Sequence, residues 1–421
     1  MSVENLEKDI LQIGRQAKEA SRYVSQLSTS SKNNILCSAA ENLLKNKDTI
    51  LKANELDIKE NKDKLNSATL DRLILDNKGI ESISNGLEEI SKLEDPVGKI
   101  IENWLRPNGL KIEKISIPLG VIGVIYESRP NVSADAAGLC LKSGNALILR
   151  GGSESFHSSS KIVEIINRSY ENFKLPKGVL QYIPTKDRNA VGHLLTMDNY
   201  VDVIIPRGGR SLIERVINES KVHVIRHLDG ICHTYIHKSS IPNLSKDVVI
   251  NAKMRRPGIC GATETILIDK EVLSTHLPDI IKSFTEMNCE VRGDEHVLGI
   301  NNSLKLANEE DWHTEYLDKI VSIKTILKGV EEAVNHINRY GSGHTDAILS
   351  EDEDAVNFFL NNVDSGIVMH NTSTQFADGG EFGMGAEIGI STSKVHARGP
   401  VGVAQLTSFK YKVKGSGQIR P

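Results

Sequence analysis

One cysteine of the sequence has a setting that could support nucleophilic chemistry. Cys260 follows a Pro-Gly turn in MRRPGICGATETILID (254–269) and precedes a β-branched run, with Arg255 and Arg256 just upstream. A thiol becomes a nucleophile when its pKa is lowered, and nearby arginines or free backbone N–H groups can lower it. Many cysteines are instead small, inert core residues. The residue types alone leave Cys260 open between a nucleophile and a packing residue.

The other cysteines have no comparable surroundings. Cys37 and Cys140 fall in helical apolar patterns and are predicted to be core residues. Cys232 lies in a predicted strand and Cys289 in a polar loop, and neither has an obvious activating group. The five cysteines form no CxxC pair, and the N-terminus lacks a signal-peptide pattern. These features predict reduced thiols in a cytoplasmic protein.

Three turns that carry an arginine follow predicted strands, at 128–131 (SRPN), 150–153 (RGGS) and 207–211 (RGGRS). Helix N-termini expose free N–H groups, glycine lets a phosphate approach them, and arginine binds phosphate through two hydrogen bonds. A left-handed turn beside a solvated arginine would have the same sequence. Two RGG turns together favour a phosphate-bearing cofactor. The dinucleotide fingerprint GxGxxG and the P-loop are absent from the sequence, and 383–389 (GMGAEIG) is only a near match.

Two histidines have a spacing that metal ligands can show. His233 and His237 are four residues apart in ICHTYIH (231–237), which places them on one face of either a helix or a strand. The β-branched and aromatic setting favours a strand, and no third ligand can be placed. The sequence therefore predicts no metal site.

Alternating strands and helices must position these residues. Residues 1–93 have the apolar repeats of helices, and continuous apolar strands then alternate with amphipathic helices. This pattern predicts two consecutive doubly wound α/β units, each with a parallel sheet covered on both faces. The tail at 403–417 is strand-like and could pair with 110–118 in a separate ribbon. Further strands are predicted at 121–126, 146–150, 179–184, 201–206, 222–227, 231–237, 263–269, 320–327, 345–350 and 365–370, and helices include 132–142, 154–169, 188–196 and 210–219.

Composition argues against two classes of partner. The 421 residues are 39% hydrophobic and 25% charged, with a net charge of −4, so no overall positive field would attract nucleic acid or acidic lipid. No stretch approaches the about 18 apolar residues of a membrane span. The sequence therefore predicts neither a nucleic-acid partner nor a membrane segment.

Longer stretches resemble a known family. RPGICGATET (256–265) and ESRPNVSADAAGLCLKSGNALILRGG (127–152) resemble the aldehyde dehydrogenase superfamily. AVNHINRYGSGHTDAI (333–348) and FADGGEFGMGAEIGISTSKVHARGPVG (376–402) are similar to one branch, the γ-glutamyl phosphate reductases. The similarity extends over essentially the whole chain.

The resemblance implies a domain organisation and a reaction. The fold is expected to hold two consecutive Rossmann-like domains and a small β ribbon through which copies form a homo-oligomer. The reaction is expected to be NADPH-dependent reduction of L-glutamyl 5-phosphate to L-glutamate 5-semialdehyde, in proline biosynthesis, with glutamate 5-kinase as the functional partner that makes the substrate. The implied domains are an NADP-binding domain at 1–97 and 119–228, a catalytic domain at 229–402, and the ribbon at 98–118 and 403–421.

Individual residues take their expected roles from the same resemblance. Cys260 matches the family's nucleophile, and Asn131 matches the amide that forms the oxyanion hole with the cysteine's N–H group. By residue type and not by the resemblance, Arg255 or Arg256 is expected to hold the departing phosphate and His344 to contact the substrate, with surface or turn residues as the alternative. Residues expected at the cofactor are Arg150, Gly151 and Gly152, with Arg150 suited to the 2′-phosphate, then Arg207, Gly208, Gly209 and Ser211, and Glu315 at the nicotinamide ribose.

One departure from the family pattern bears on the direction of the reaction. Aldehyde-oxidising relatives have a glutamate in an ELGG stretch that serves as general base for thioester hydrolysis, whereas this sequence reads RHLDG at 226–230. A hydrolytic base would destroy a thioester that must survive until it is reduced. The segment therefore favours reduction of an activated acyl group. A coenzyme-A-dependent aldehyde dehydrogenase would also lack this base, and a catalytically silent binding protein is the alternative outside enzymes.

Overall fold

The computed structural model describes residues 3–65, 67–226 and 229–420. They form two compact units. Unit 1 is drawn from Met1–Arg226, Gly383–Gly389 and Val401–Pro421, and unit 2 from His227–Phe382 and Ile390–Pro400. No helix in the described part of the chain is long and apolar enough to cross a membrane.

Unit 1 begins with helices, as the apolar repeats over 1–93 predict. Two of these helices start at side-chain caps, because Ser28 and Asp76 accept hydrogen bonds from the N–H groups of Ser31 and Gly79. The helices are α1 (Val3–Val24), α2 (Thr29–Lys45), α3 (Lys47–Asn61), α4 (Ser67–Leu73) and α5 (Asn77–Lys92). Two paired antiparallel strands follow, β1 (Ile100–Leu105) and β2 (Lys111–Pro118).

A parallel sheet of five strands forms the centre of unit 1, in the order β5-β4-β3-β6-β7. The strands β3 and β4 are buried along their whole length, which explains their continuous apolar sequences. Because β4 and β6 flank β3, Tyr126 at the end of β3 pairs with both Gly151 and Arg207. The elements are β3 (Val121–Tyr126), α6 (Val132–Lys142), β4 (Ala146–Gly151), α7 (Phe156–Asn172), β5 (Leu180–Tyr182), α8 (Asn189–Leu195), β6 (Val203–Arg207), α9 (Arg210–Glu219) and β7 (His223–Val224).

Unit 2 is built on a parallel sheet of seven strands, in the order β11-β10-β12-β9-β8-β13-β14. The central strand β9 is buried throughout. The elements are β8 (Cys232–Ile236), α10 (Pro242–Met254), β9 (Thr263–Asp269), α11 (Leu273–Glu286), β10 (Glu290–Gly293), α12 (Glu295–Ile300), β11 (Lys305–Leu306), β12 (Ile320–Ile326), α13 (Val330–Tyr340), β13 (Thr345–Leu349), α14 (Glu353–Asn362), β14 (Ile367–His370) and the short antiparallel pair β15 (Ile390–Ser391) and β16 (Gly399–Pro400). The two sheets confirm the predicted α/β fold.

The last strand, β17 (Thr407–Lys414), pairs with β2 from Thr407↔Pro118 to Lys414↔Lys111. With β1 it completes a three-stranded antiparallel sheet, so the predicted ribbon is present. Its outer strands expose several large apolar side chains, those of Ile100, Ile101, Trp104, Leu105, Phe409, Tyr411 and Val413.

Two details of the sequence-based interpretation were wrong. Cys37 is exposed rather than part of the core, because α2 buries the stripe that contains Ile35, Leu36 and Ala39 and turns the cysteine outward. The strand predicted at 222–227 spans only His223–Val224, and its last residue lies outside the described part of the chain.

Candidate active site

Four loops of unit 2 converge at one edge of its sheet. Gly230 precedes β8, Cys260 precedes β9, Glu315 precedes β12, and His344 precedes β13. These strands are parallel and adjacent in the order β12-β9-β8-β13, so their amino ends lie side by side. The candidate nucleophile therefore lies at the amino edge of this sheet.

Cys260 differs from the buried cysteines in its accessibility. It lies in the turn between α10 and β9 and is half-buried. Burial raises the pKa of the thiols of Cys140 and Cys232, and raises that of Cys289 to about 12, which keeps these three thiols protonated. Cys260 packs beside a small apolar cluster formed by Ala347, Ile367, Met369, Ala377 and Ile390.

Gly230 packs directly against the main chain of the Cys260 turn. A Cβ atom at position 230 would lie 2.2 Å from the carbonyl oxygen of Cys260. This glycine belongs to the segment 226–230 that lacks the hydrolytic glutamate, and His227 and Leu228 of that segment lie outside the described residues. The sequence interpretation noted Gly230 but not its contact with the nucleophile's turn.

Glu315 is joined to the same glycine. Its carboxylate accepts a hydrogen bond from the backbone N–H of Gly230, while burial raises the pKa of the carboxyl group. The charge of Asp229 raises this pKa further, and those of His344 and Lys253 lower it. Glu315 and Cys260 are thus both held at Gly230.

His344 lies behind the Cys260 turn and is fully buried. Its Nδ1 is 2.9 Å from the Thr345 hydroxyl oxygen and 3.6 Å from the Cys232 sulfur. The Cys232 thiol in turn donates a hydrogen bond of 3.1 Å to the carbonyl oxygen of Cys260. His344 therefore reaches the nucleophile's turn through Cys232.

Gln375 supports the two arginines that precede Cys260, and the sequence analysis missed it. Its side-chain amide donates to the carbonyl oxygens of Ala252, at 2.9 Å, and Arg256, at 3.3 Å. The exposed Arg255 donates to its amide oxygen at 3.4 Å. Arg256 is also exposed. No pattern in the sequence links Gln375 to this turn, because 119 residues separate it from Arg256.

In unit 1, Asn131 lies at the start of α6 and is held by Asp135. The Asn131 amide nitrogen donates a hydrogen bond of 3.0 Å to the Asp135 carboxylate one helical turn later. Burial raises the pKa of Asp135 to about 6, and the positive charge of Arg207 opposes this rise. Asp135 therefore accepts a hydrogen bond from one predicted site residue, Asn131, and is attracted by the charge of another, Arg207.

Arg150 lies near the end of β4, and its side chain is buried, with only 5% of the residue exposed. Its guanidinium donates to the main-chain carbonyl oxygens of Gly151, Lys186 and Asp187 at 2.5 to 3.3 Å. Gly151 fits closely there, because an added Cβ would lie 2.8 Å from the Tyr182 hydroxyl. These contacts make Arg150 a brace for the turn, which the sequence did not predict.

In two neighbouring turns, main-chain N–H groups donate hydrogen bonds to glutamate carboxylates. The Gly209 N–H, which precedes α9, donates to Glu127 at 2.8 Å. The Ser128 N–H and hydroxyl donate to one Glu154 oxygen at 2.7 and 2.9 Å. Ser211 lies exposed in the first turn of α9. The geometry suits an anionic oxygen at Gly209, and a phosphate bound there would displace Glu127.

The two histidines considered as metal ligands lie within hydrogen-bond distance of other side chains. His233 Nδ1 lies 2.9 Å from an Asp346 oxygen, and His237 Nδ1 lies 2.9 Å from the Ser239 hydroxyl. Within residues 3–65, 67–226 and 229–420, no group of three or more His, Cys, Asp or Glu side chains could hold a metal ion.

Comparison with known proteins identifies the family of this chain. The model of the aldehyde dehydrogenase family matches residues 4–299. A γ-glutamyl phosphate reductase from Paramagnetospirillum magneticum is 51% identical over 422 residues, which cover 100% of both chains. The chain belongs to the γ-glutamyl phosphate reductase branch of the aldehyde dehydrogenase family. This membership confirms the resemblance found in the sequence and makes the protein an oxidoreductase.

Solved structures place this reductase family member in the same fold. The crystal structure of γ-glutamyl phosphate reductase from Thermotoga maritima has a TM-score of 0.95 and 38% sequence identity, covering 98% of this chain and 100% of that one. An NADP complex of a glyceraldehyde-3-phosphate dehydrogenase from Methanocaldococcus jannaschii has a TM-score of 0.70 at 14% identity, covering 97% of this chain and 95% of that one. This second likeness concerns the fold alone.

Proposed function

We propose that the protein reduces L-glutamyl 5-phosphate to L-glutamate 5-semialdehyde and inorganic phosphate, using NADPH and a thioester on Cys260. This is the second step of proline biosynthesis from glutamate. The observation that carries the proposal is a half-buried cysteine in a turn packed against Gly230, in a chain 51% identical over its full length to a γ-glutamyl phosphate reductase.

The residues of the chain take part in the following order. The Cys260 thiolate attacks the acyl carbon, the bond from carbon to the phosphate oxygen breaks, and inorganic phosphate leaves with the electron pair. The Asn131 amide and the Cys260 N–H donate hydrogen bonds to the oxyanion, and each such donor contributes about 3 kcal/mol. NADPH, when bound, supplies the hydride that converts the thioester to a thiohemiacetal. Collapse of the thiohemiacetal then releases the semialdehyde and regenerates the Cys260 thiolate.

Charged residues near Cys260 suit the chemistry of an acyl phosphate. Arg255 and Arg256 are exposed shortly before the cysteine in the sequence, and we assign them to the departing phosphate. The sequence predicted that His344 contacts the substrate, but it is fully buried behind the Cys260 turn, so we assign it to support of that turn through its contact with Cys232. The absence of a glutamate from the sequence 226–230 leaves the thioester to reduction rather than hydrolysis.

Unit 1 supplies the residues assigned to the cofactor. The turn of Gly151 and Gly152 and that of Gly208 and Gly209 follow β4 and β6, the two strands that flank β3, and the Gly209 N–H already donates to a carboxylate oxygen. Glu315 of unit 2 is assigned to the nicotinamide ribose. The resemblance implied Arg150 for the 2′-phosphate of NADPH, but Arg150 braces the first turn, so we assign the 2′-phosphate to the exposed Arg188, whose charge lies near that of Arg150. We accordingly assign NADP binding to 1–97 and 119–228 and catalysis to 229–402.

The remaining assignments concern partners and location. The exposed apolar side chains of β1 and β17, among them Trp104 and Tyr411, support assembly of copies through the ribbon of 98–118 and 403–421. Glutamate 5-kinase is assigned as the functional partner because acyl phosphates are labile and must be used soon after they form. The cytoplasmic location stays a prediction from the cysteine pattern.

A coupled assay tests the activity. Glutamate 5-kinase, ATP and glutamate generate the acyl phosphate in situ, and oxidation of NADPH is followed by its absorbance. We expect oxidation that depends on the kinase and the protein together, and none with acyl-coenzyme A. Turnover of acyl-coenzyme A alone would assign the protein to the acylating aldehyde dehydrogenases, and no turnover of either substrate would favour the silent binding protein.

A further inference from the structure

A buried ion pair joins the two ends of the segment that carries Cys260. Lys253 lies in the last turn of α10, and Glu264 is the second residue of β9. Both side chains are fully buried, and the Lys253 ammonium contacts the Glu264 carboxylate. The proposed reaction sequence uses neither residue.

A buried ion pair is a costly way to stabilise a core. Removing two charges from water costs several kcal/mol per ion, and apolar residues of similar volume often stabilise a core as well or better. Burial raises the pKa of Glu264 to about 8, and the charge of Lys253 limits this rise, so the lysine is the contact that favours the ionised carboxylate. Stability alone therefore does not explain a charged pair at this position.

Glu264 also reaches the loop that carries Glu315. Its second carboxylate oxygen accepts a hydrogen bond of 3.4 Å from the Leu317 N–H. Leu317 has a φ of 52°, a left-handed conformation that a leucine rarely adopts unless its surroundings hold it. The Lys253 ammonium lies 5.8 Å from the centre of the Tyr316 ring in the same loop. The pair thus contacts both segments that bring functional side chains to Gly230.

We propose that Lys253 and Glu264 are positioning residues that hold the Cys260 turn and the Glu315 loop in their reactive arrangement. The inference rests on the proposed function, since it takes Cys260 as the nucleophile. Neither residue touches the reacting atoms. They influence the reaction rate by fixing the positions of the turn at 255–262 and the loop at 315–317.

The test removes both charges of the Lys253–Glu264 pair and compares this variant with one in which a similar ion pair of unit 1 is neutralised. Lys253→Met with Glu264→Gln removes both charges and keeps an oxygen for the Leu317 N–H. Lys32→Met with Asp95→Asn makes the same chemical change at a pair in unit 1 whose lysine is fully buried. Each variant is measured for kcat, for KM of NADPH, for its thermal midpoint and for the rate at which iodoacetamide alkylates Cys260.

We expect the Lys253/Glu264 variant to lose at least about tenfold in kcat, because a displacement of about 1 Å can cost 10²-fold in rate. The rate of Cys260 alkylation should shift at least about threefold, and KM for NADPH should rise more than about twofold, because the variant displaces both the Cys260 turn and the loop of Glu315, which we assign to the nicotinamide ribose. The Lys32/Asp95 variant should keep the wild-type kcat and alkylation rate. A folded Lys253/Glu264 variant with wild-type kcat and alkylation would overturn the proposal.

A second variant keeps the proposal testable if the doubly substituted protein does not fold. Glu264→Asp keeps both charges but shortens the side chain, so a positioning role predicts a fall in kcat, whereas a role in charge balance alone predicts none. The alkylation measurement needs no substrate, so it stands even if glutamyl phosphate is not turned over. Failure of the coupled assay with an altered alkylation rate would therefore contradict the proposed function and not the positioning role.

Discussion

Gly230 and Cys260 are in direct main-chain contact, and only glycine fits at position 230. A Cβ atom there would lie 2.2 Å from the Cys260 carbonyl oxygen and 2.6 Å from the Cys260 Cα atom. The Gly230 N–H also donates to the Glu315 carboxylate. One glycine thus positions the candidate nucleophile and holds a carboxylate that we assign to the cofactor.

Gly230→Ala should lower kcat about 10²-fold. The added methyl group must displace the main chain of the Cys260 turn, and a displacement of about 1 Å can cost this much in rate. The measurement is steady-state kinetics together with the thermal midpoint. Gly299→Ala is the control in the same unit, since a Cβ at position 299 meets no atom within 4 Å. Equal kinetics for the two variants would show that the Cys260 turn tolerates displacement.

Asp135→Asn should stabilise the protein more at about pH 8 than at about pH 5. Burial raises the pKa of Asp135 to about 6 from a usual value of 3.8, so the folded protein holds the ionised carboxyl less readily than the unfolded chain does. This cost applies above about pH 6 and disappears as the pH falls through 6 toward 4. The full shift corresponds to about 3 kcal/mol, and partial exposure of the side chain reduces the expected gain to about 1–2 kcal/mol.

Denaturant unfolding of wild type and Asp135→Asn across this pH range measures the effect. The amide keeps an oxygen that can accept from Asn131, so the variant removes the charge and retains the hydrogen bond. A stability difference that does not change between the two pH values would assign the effect to packing instead of ionisation.

Replacing Arg150 should affect NADPH and NADH equally. Because its guanidinium braces three carbonyl oxygens, Arg150→Ala should raise KM for NADPH and for NADH alike and lower the thermal midpoint. Arg188→Ala, at an exposed position near the Arg150 charge, should raise KM for NADPH about threefold or more and leave that for NADH within about twofold. Equal changes in both KM values for Arg188→Ala would remove the 2′-phosphate assignment.

Much of the fold could be predicted because the buried strands are continuous apolar runs. The strands at 121–126 and 263–269 and the helices at 132–142 and 210–219 have their predicted bounds. Strands β10 and β11 were not predicted, since both are short, β10 is only partly buried and both residues of β11 are exposed. Cys37 was misplaced because it lies between apolar residues in sequence while its side chain lies outside the buried stripe.

The candidate site was harder to predict than the fold. The resemblance supplied Cys260, Asn131 and Glu315, but their surroundings depend on contacts between residues far apart in sequence. Gly230, Gln375 and Lys253 support the nucleophile's turn from three different segments. One signal was present in the sequence: Glu264 places a charge inside the apolar strand TETILID, where a buried carboxylate requires a partner.

The thioester on Cys260 can be observed directly by mass spectrometry. The protein is mixed with glutamyl 5-phosphate made in situ, without nicotinamide cofactor, and quenched in acid, with Cys37→Ala and Cys260→Ala run alongside. The account predicts a mass increase of one glutamyl group on the peptide that contains Cys260, present in wild type and Cys37→Ala, absent in Cys260→Ala, and lost when NADPH is added before the quench. An active enzyme with no adduct at Cys260, or a Cys260→Ala variant that still turns over, would contradict it.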